Sequence, residues 1–300
     1  MIVRSDIAES LKYGAKAQFL EGRGLWTPTR DLIADGVSST GKDETYVGLD
    51  DPPMPREAVD QVVPRGLAER HITIVNKDWE TTLAVSHNAI NDDRVGHVLP
   101  WMRKAGMRFE QHMDKLCWLA LNGGDGTTYG LCYDGNEFFD AAHADANAEY
   151  VTAQSNLGTT TLDLDGFNTI WIAAQGILDS RGEVLEVPLD LLSVSPTNRI
   201  VAAQITDNAS AYDTGNREIN PFTGEFRHHW TPHFDTNAWV LSSTMPGFKP
   251  IIFQLREEPK LEPVWDDRSV AFEGGVRYFK FSARYWLGYS NWRYAYLGKT

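Results

Sequence analysis

Three histidines form the arrangement in this sequence best suited to binding a metal: His228, His229 and His233. In a β-strand, His229 and His233 would lie on one face, at a spacing that Zn²⁺ could use. No fourth ligand is obvious nearby, and Trp230 and Phe234 indicate an aromatic-rich sheet instead. We therefore predict no metal site. A metal-dependent soluble enzyme is kept as the least favoured alternative.

Acidic and glycine-rich stretches suggest other ion sites. The run DLDG at 163–166 starts like a calcium loop but lacks the later oxygen ligands and the terminal Glu, so Asp163 or Asp165 is predicted to cap a helix. Asp92 and Asp93 could form an acid–base pair, but a predicted helix follows directly and capping is favoured. The run GGDG at 123–126 follows a helix, whereas a phosphate loop would precede one.

The sequence contains no G-x-S-x-G, P-loop, H-E-x-x-H or C-x-x-C motif. The aromatic C-terminus could stack on bases, but only Arg284, Arg293 and Lys299 accompany it, so a core sheet or a sheet between subunits is favoured. Its aromatic residues are Tyr285, Trp286, Tyr289, Trp292, Tyr294 and Tyr296. We predict no catalytic residue and no cofactor.

Composition narrows the class of protein without choosing a function. The net charge is −13, with no basic tail and no evident Lys/Arg stripe, which argues against a sequence-reading DNA binder. The hydrophobic fraction of 42% is ample for a core in 300 residues. No apolar run is long enough for a membrane span, and the N-terminus lacks the pattern of a signal peptide. Cys117 and Cys132 are predicted to be buried thiols.

The strongest periodic pattern lies at 95–120, where apolar residues recur in steps of three and four. It predicts one long helix that ends in the glycines after Asn122, with Pro100 kinking or separating its first turns. Before it, residues 71–86 predict a hairpin with its turn at Asn76-Lys77-Asp78. The proline-rich residues 50–70 should project as an extended loop.

The remaining elements alternate between helices and strands. A second helix is predicted after Asp163, then a strand ending at Pro196, a short helix, a polar loop at 207–225 and a strand-rich C-terminal part. Residues 1–44 are too sparsely apolar to form a core, so they either dock on their own domain or lie across a neighbour. The predicted fold class is α+β with two lobes.

Several blocks, in order, resemble the Mu-like major head subunits, which have the Hong Kong 97-type capsid fold. They are ETYVGLDDPPMPREAVDQ, HITIVNKDWETTLAVSHNAINDD, CYDGNEFFDAAH and the tail KPIIFQLREEP with ARYWLGYSNWRYAYLG. The run LNGGDGT after the long helix is similar to the L-N-G-D-G-T of these capsids, with one extra glycine. The blocks span roughly residues 44–143 and 238–298.

The resemblance implies a division of the chain into five parts: an N-terminal arm (1–44), an extended E-loop region (45–85), a P-domain with the long spine helix (86–160), an A-domain (161–250) and return strands of the P-domain (251–300). It also implies that the arm and the E-loop contact neighbouring subunits. The buried surface would then exceed the ~1,600 Å² of a standard interface.

The function that the resemblance implies is a non-enzymatic major capsid protein. Its copies would form pentamers and hexamers of an icosahedral head around the double-stranded DNA of a tailed phage or prophage. The implied partners are other copies, a portal protein, a separate scaffold, a decoration protein and packaged DNA, without a membrane. The chain would be assembled in the host cytoplasm and reside in the virion. The alternative is an encapsulin-type nanocompartment shell protein.

Overall fold

A computed structural model of the chain describes residues 4–47, 55, 71–86, 95–144, 152–209, 219–264 and 276–300. The helices are α1 (Arg4–Gly24), α2 (Val95–Asn122), α3 (Leu164–Gln175) and α4 (Arg199–Thr206). The strands are β1 (Ala34–Ser38), β2 (Asp43–Val47), β3 (His71–Val75), β4 (Lys77–Ser86), β5 (Leu157–Gly158), β6 (Leu191–Val194), β7 (Arg227–Trp230), β8 (Ala238–Ser242), β9 (Ile251–Val264), β10 (Val276–Tyr289) and β11 (Ala295–Lys299). Within this part of the chain, no helix is long and apolar enough to cross a membrane.

The strands form two larger sheets and one small one, which agrees with the predicted α+β class. One sheet has the order β1-β9-β10-β4, and α1 and α2 pack near it. The other has the order β5-β11-β8-β6-β7 and carries α3 and α4. The C-terminal part joins them, since β10 leads through a short 3₁₀ turn at Trp292–Tyr294 into β11. Among the strands of the described ranges, β2 and β3 pair only with each other.

The C-terminal aromatic residues lie in the core. Alternate side chains of β10 are buried on one face, from Phe279 through Tyr285 to Tyr289, as the period of a half-buried strand requires. Trp292, which follows, is also almost completely buried. The predicted core sheet is therefore confirmed, and so are the two buried free thiols of Cys117 and Cys132.

The predicted hairpin at residues 71–86 is wrong, although both of its strands exist. β3 pairs with β2 in the small sheet, whereas β4 pairs along its whole length with β10. A single residue, Asn76, separates the two strands, whereas the turn of a tight hairpin needs two residues. Its buried amide donates to Ser39 Oγ at 2.9 Å and to the Gly41 carbonyl at 3.1 Å. These bonds hold the point at which the chain passes from one sheet to the other.

The predicted long helix is confirmed, with one difference at Pro100. α2 runs without a break from Val95 to Asn122 and includes Pro100 within its second turn. Proline has no N–H, so the helix lacks the hydrogen bond that residue 100 would otherwise donate to the carbonyl of residue 96, but it continues through this position. Asp92 and Asp93, the predicted caps, lie outside the described residues.

The N-terminal segment forms a helix that the sparse apolar pattern did not predict. α1 packs along α2, and two glycines allow their backbones to touch. A Cβ at Gly22 would lie 1.8 Å from the Arg103 carbonyl oxygen, and one at Gly106 would lie 2.1 Å from that of Phe19. Both distances are far below van der Waals contact, so this crossing requires glycine at both positions.

Candidate functional site

The structure does not bring the three candidate metal-binding histidines together on one strand. His228 and His229 lie in β7, but this strand ends at Trp230. The prediction that His229 and His233 share one face of a strand is therefore wrong. His229 stacks on Trp118 with ring centroids 4.7 Å apart, and burial lowers its pKa. Among the described residues, no three His, Cys, Asp or Glu side chains cluster to hold a metal.

The acidic and glycine-rich stretches have structural roles. Asp163 caps α3, because its carboxylate accepts a hydrogen bond from the Gly166 N–H at 2.7 Å. After α2, Gly124 lets the chain pass close to the rings of Phe138 and Phe139, because a Cβ at this position would lie 2.8 Å from the Phe139 ring. Asp125 in the same run pairs with Lys299 of β11. This loop therefore holds the end of α2 against the C-terminal strand.

The block CYDGNEFFDAAH lies at the junction between the two larger sheets. Tyr133 Oη donates to Asn291 Oδ1 at 3.3 Å and accepts from Arg293 at 2.8 Å. The ring of Phe138 stacks on Tyr289 of β10 with centroids 4.6 Å apart. The block therefore contacts the chain where β10 passes into β11.

At the centre of this junction, His143 is buried between Asp134, Asn156 and Trp292. Its Nδ1 lies 2.6 Å from Asp134 Oδ2, and its ring stacks on Trp292 at 4.2 Å. The Asn156 amide donates to the carbonyl oxygens of Phe138, Trp292 and Ala295, so its oxygen must face His143 Nε2, at 3.1 Å. Nε2 therefore carries a proton.

The other ring nitrogen faces a carboxylate. Burial alone would raise the pKa of Asp134, but the hydrogen bond and charge of His143 outweigh it and hold that pKa below its ordinary value. Asp134 is thus ionised at neutral pH. The contacts of the two His143 ring nitrogens with Asp134 and Asn156, together with the stacking on Trp292, hold residues 132–156 against the C-terminal strand.

The lowered pKa of Asp134 predicts how stability depends on pH. A carboxyl with a depressed folded-state pKa contributes stability above its unfolded pKa, and this is lost as pH falls through the folded value. Asp134→Asn should therefore cost ~3–5 kcal/mol at pH 7. The cost should shrink below the ordinary Asp pKa of 3.8. Urea unfolding of both proteins across this range measures the cost, and an unchanged difference at acidic pH would rule out an ionised Asp134 in the folded chain.

A second polar cluster ties the N-terminal segment to α2. The Asp114 carboxylate accepts from Trp26 Nε1 and from the Thr29 N–H, both at 2.8 Å, and from Arg30 at 3.0 Å. One turn earlier, Glu110 accepts from Arg23 at 2.9 Å. Burial alone would lower the pKa of the Arg30 guanidinium, but the negative charges of Asp114 and Glu110 outweigh that effect and raise this pKa. Residues 23–30 are therefore bound to their own α2, although the resemblance implies an arm that reaches a neighbour.

Sequence reasoning missed this cluster, although a signal for it was present. Glu110 and Asp114 are four residues apart on a helix face whose other members, such as Met113, are apolar. Charged residues are almost never fully buried without a partner, so acidic side chains on a buried face require cations from another element. Only the structure shows that Arg23 and Arg30 supply them.

The small sheet brings together the two ends of residues 48–70, of which the structure describes only Pro55. Val47, the last residue of β2, pairs with His71, the first residue of β3, so the two ends of residues 48–70 lie side by side. One face of this sheet packs on the large sheet: Tyr46 Oη donates to Gln254 at 2.8 Å, and Ile74 lies against Gly288. Its other face, including Val47 and Val75, is exposed.

Sequence comparison places this architecture among known proteins. The family described as Mu-like prophage major head subunit gpT matches residues 8–171. The Mu-like prophage FluMu major head subunit of Haemophilus influenzae is 25% identical over 99% of this chain and 74% of that protein. The major capsid protein of Escherichia phage Mu is 32% identical over 48% of this chain and 46% of its own length.

Solved structures show the same fold. The chain is similar to one in the procapsid of bacteriophage JBD30, with a TM-score of 0.63, 21% identity, and coverage of 99% of this chain and 76% of that one. It is also similar to the virus-like particle of Pyrococcus furiosus, with a TM-score of 0.51, 11% identity, and coverage of 96% and 98%. At these identities the likeness concerns the fold, which is that of phage capsid proteins.

Proposed function

Because this chain belongs to the family of Mu-like prophage major head subunits, as a major capsid protein of the virion, we propose that its copies form the pentamers and hexamers of an icosahedral head around double-stranded DNA. The family match over residues 8–171 is the observation that supports this most. It favours a phage head over an encapsulin-type compartment, because the two share a fold but the match is to head subunits. Portal, scaffold and decoration proteins are proposed as further partners.

The role of the subunit is structural, and we propose that it has no catalytic activity. The buried titratable groups of the described residues are used within the fold: Asp134 with His143 at the junction, and Asp114 with Arg30 beneath the N-terminal segment. Repeated contacts between identical copies, each weak alone, give a stable closed shell through symmetry and multivalency.

The division into an E-loop region (45–85), P-domain (86–160 with 251–300) and A-domain (161–250) remains part of this proposal. It is supported by the two larger sheets, since β9 and β10, against which α2 packs, belong to one sheet and β6, β7 and β8 belong to the other. Strand β11, within the proposed return strands 251–300, lies in the second sheet beside β8. Within the proposed arm (1–44), Arg23 and Arg30 are ion-paired with α2 of their own chain. An arm that contacts a neighbouring subunit must therefore do so while residues 23–30 stay bound to α2.

Removing the tip of the proposed E-loop tests the assembly role. We expect a chain lacking residues 52–66, of which the structure describes only Pro55, to fold but fail to form stable shells, because Val47 and His71 already lie side by side at the base. Circular dichroism reports folding and light scattering reports assembly. Shells of normal size and stability from the shortened chain would refute the role of this loop.

A further inference from the structure

The outer face of α2 has an unusual composition. Between Trp101 and Asn122, the exposed residues are Trp101, Lys104, Arg108 and Lys115, and every other side chain in that span is buried or half-buried. We call these four residues the basic face. Their spacing of three, four and seven puts them on one stripe of the helix. At a rise of 1.5 Å per residue, the stripe is about 21 Å long.

The three cations of the basic face are not neutralised within the described part of the chain, where no carboxylate oxygen lies within 4 Å of Lys104, Arg108 or Lys115. Arg108 donates only to the neutral Gln111, at 3.2 Å. The acids of the same helix, Glu110 and Asp114, point the other way, to Arg23 and Arg30. A chain with a net charge of −13 thus concentrates unpaired positive charge on one helix face.

This face corrects the view that no Lys/Arg stripe exists. Three cations in twelve residues do not stand out in the linear sequence, where Glu110 and Asp114 lie between Arg108 and Lys115. Folding turns those acids inward and leaves the cations outside. The stripe therefore becomes visible only once the N-terminal segment is known to cover the opposite side of α2.

Grooves flank the basic face on both sides, and both are lined by Arg108 and His112. The groove toward β4 has a volume of about 550 Å³ and is walled by Trp79 and Trp101. The groove toward β7 has a volume of about 720 Å³ and is walled by Trp26 and Trp230. The surface is thus a ridge of positive charge between two troughs with aromatic walls.

We propose, on the premise that the chain encloses DNA in a head, that the basic face binds the sugar–phosphate backbone of the packaged duplex and so faces the interior of the shell. A duplex presents one negative charge per ~1.7 Å, or about 12 charges along this stripe, and each neutralised phosphate releases counterions. Binding of this kind needs cations in a row and no base-reading groups. An acidic protein segment has a lower charge density and needs side-chain pockets matched to it.

The test measures binding of the full-length chain to a fluorescent duplex of about 30 base pairs by anisotropy, between roughly 25 and 200 mM KCl. The variant Lys104→Gln, Arg108→Gln, Lys115→Gln should bind at least about tenfold more weakly, with a salt slope reduced by about 2–3. A matched control, Lys16→Gln, Lys42→Gln, Lys260→Gln, removes the same charge from exposed residues outside α2. It should change the affinity less than about twofold.

Three results would overturn the proposal: no duplex binding by the unsubstituted chain, an equal loss in the control, or no loss in the α2 variant. Polyglutamate that displaces the duplex at equal charge concentration would instead assign the face to an acidic protein. Light scattering of the same preparations keeps the two proposals apart. An unsubstituted chain that never assembles counts against the capsid role, whereas normal assembly with unaltered duplex binding by the α2 variant counts only against the basic face.

Discussion

Phe109→Asp should prevent the chain from folding. Phe109 is 8% exposed and lies on the inner face of α2, with its ring centroid 6.1 Å from that of Phe19 and 6.4 Å from that of Phe281. A carboxylate here would lose the aromatic packing and be buried in an apolar cluster. Losing a buried Phe costs ~3–5 kcal/mol, and an unpaired buried charge adds several more. The sum rivals the whole ~5–15 kcal/mol of a typical domain.

Circular dichroism and urea unfolding of the purified proteins measure this effect. Phe109→Leu is the matched control, because it keeps an apolar side chain and should cost only about 1–3 kcal/mol. Cooperative unfolding of Phe109→Asp near the midpoint of the control would show that α2 does not pack through Phe109.

Asp114→Ala should also have a large effect on stability, about 3–5 kcal/mol. The change removes the carboxylate that accepts hydrogen bonds from Trp26, Thr29 and Arg30. These three donors then lose that acceptor beneath the N-terminal segment. Glu110 still faces Arg30 at 3.3 Å, which should place the cost toward the lower end of that range. Freed from α2, the segment around residues 23–30 should become sensitive to protease.

Urea unfolding and limited proteolysis with trypsin report both consequences. Asp31→Ala is the control, because Asp31 is exposed and neighbours Arg30 in the chain without joining the cluster. It should change stability by no more than about 0.5 kcal/mol. Equal resistance of Asp114→Ala and the control to trypsin would contradict the role assigned to Asp114.

Local patterns predicted the elements that depend on neighbouring residues. The period of α2, the cap at Asp163 and the buried alternation of β10 were all predictable, because each follows from residues within one or two turns or along one strand. The absence of a pattern for α1 was misleading. The helix packs on α2 through close glycine contacts and through Phe19 and Arg23, and tertiary packing of this kind leaves a weak periodic signal.

Pairings between distant residues could not be predicted from one sequence. The pattern of residues 71–86 predicted two strands correctly, but their partners are β2 and β10, and the pairing with β10 joins residues as far apart as Lys77 and Tyr285. The same holds for the candidate site. His143 was part of a recognised block, yet its position between Asp134, Asn156 and Trp292 depends on how the C-terminal strand returns.

Electron microscopy of the purified full-length chain, with and without a co-expressed scaffold, tests the central claim most directly. Copies of a head subunit should form rings of five and six and closed shells of uniform diameter. A chain that stays monomeric in both preparations while its circular dichroism shows it to be folded would contradict the assignment of this protein as a self-assembling shell subunit.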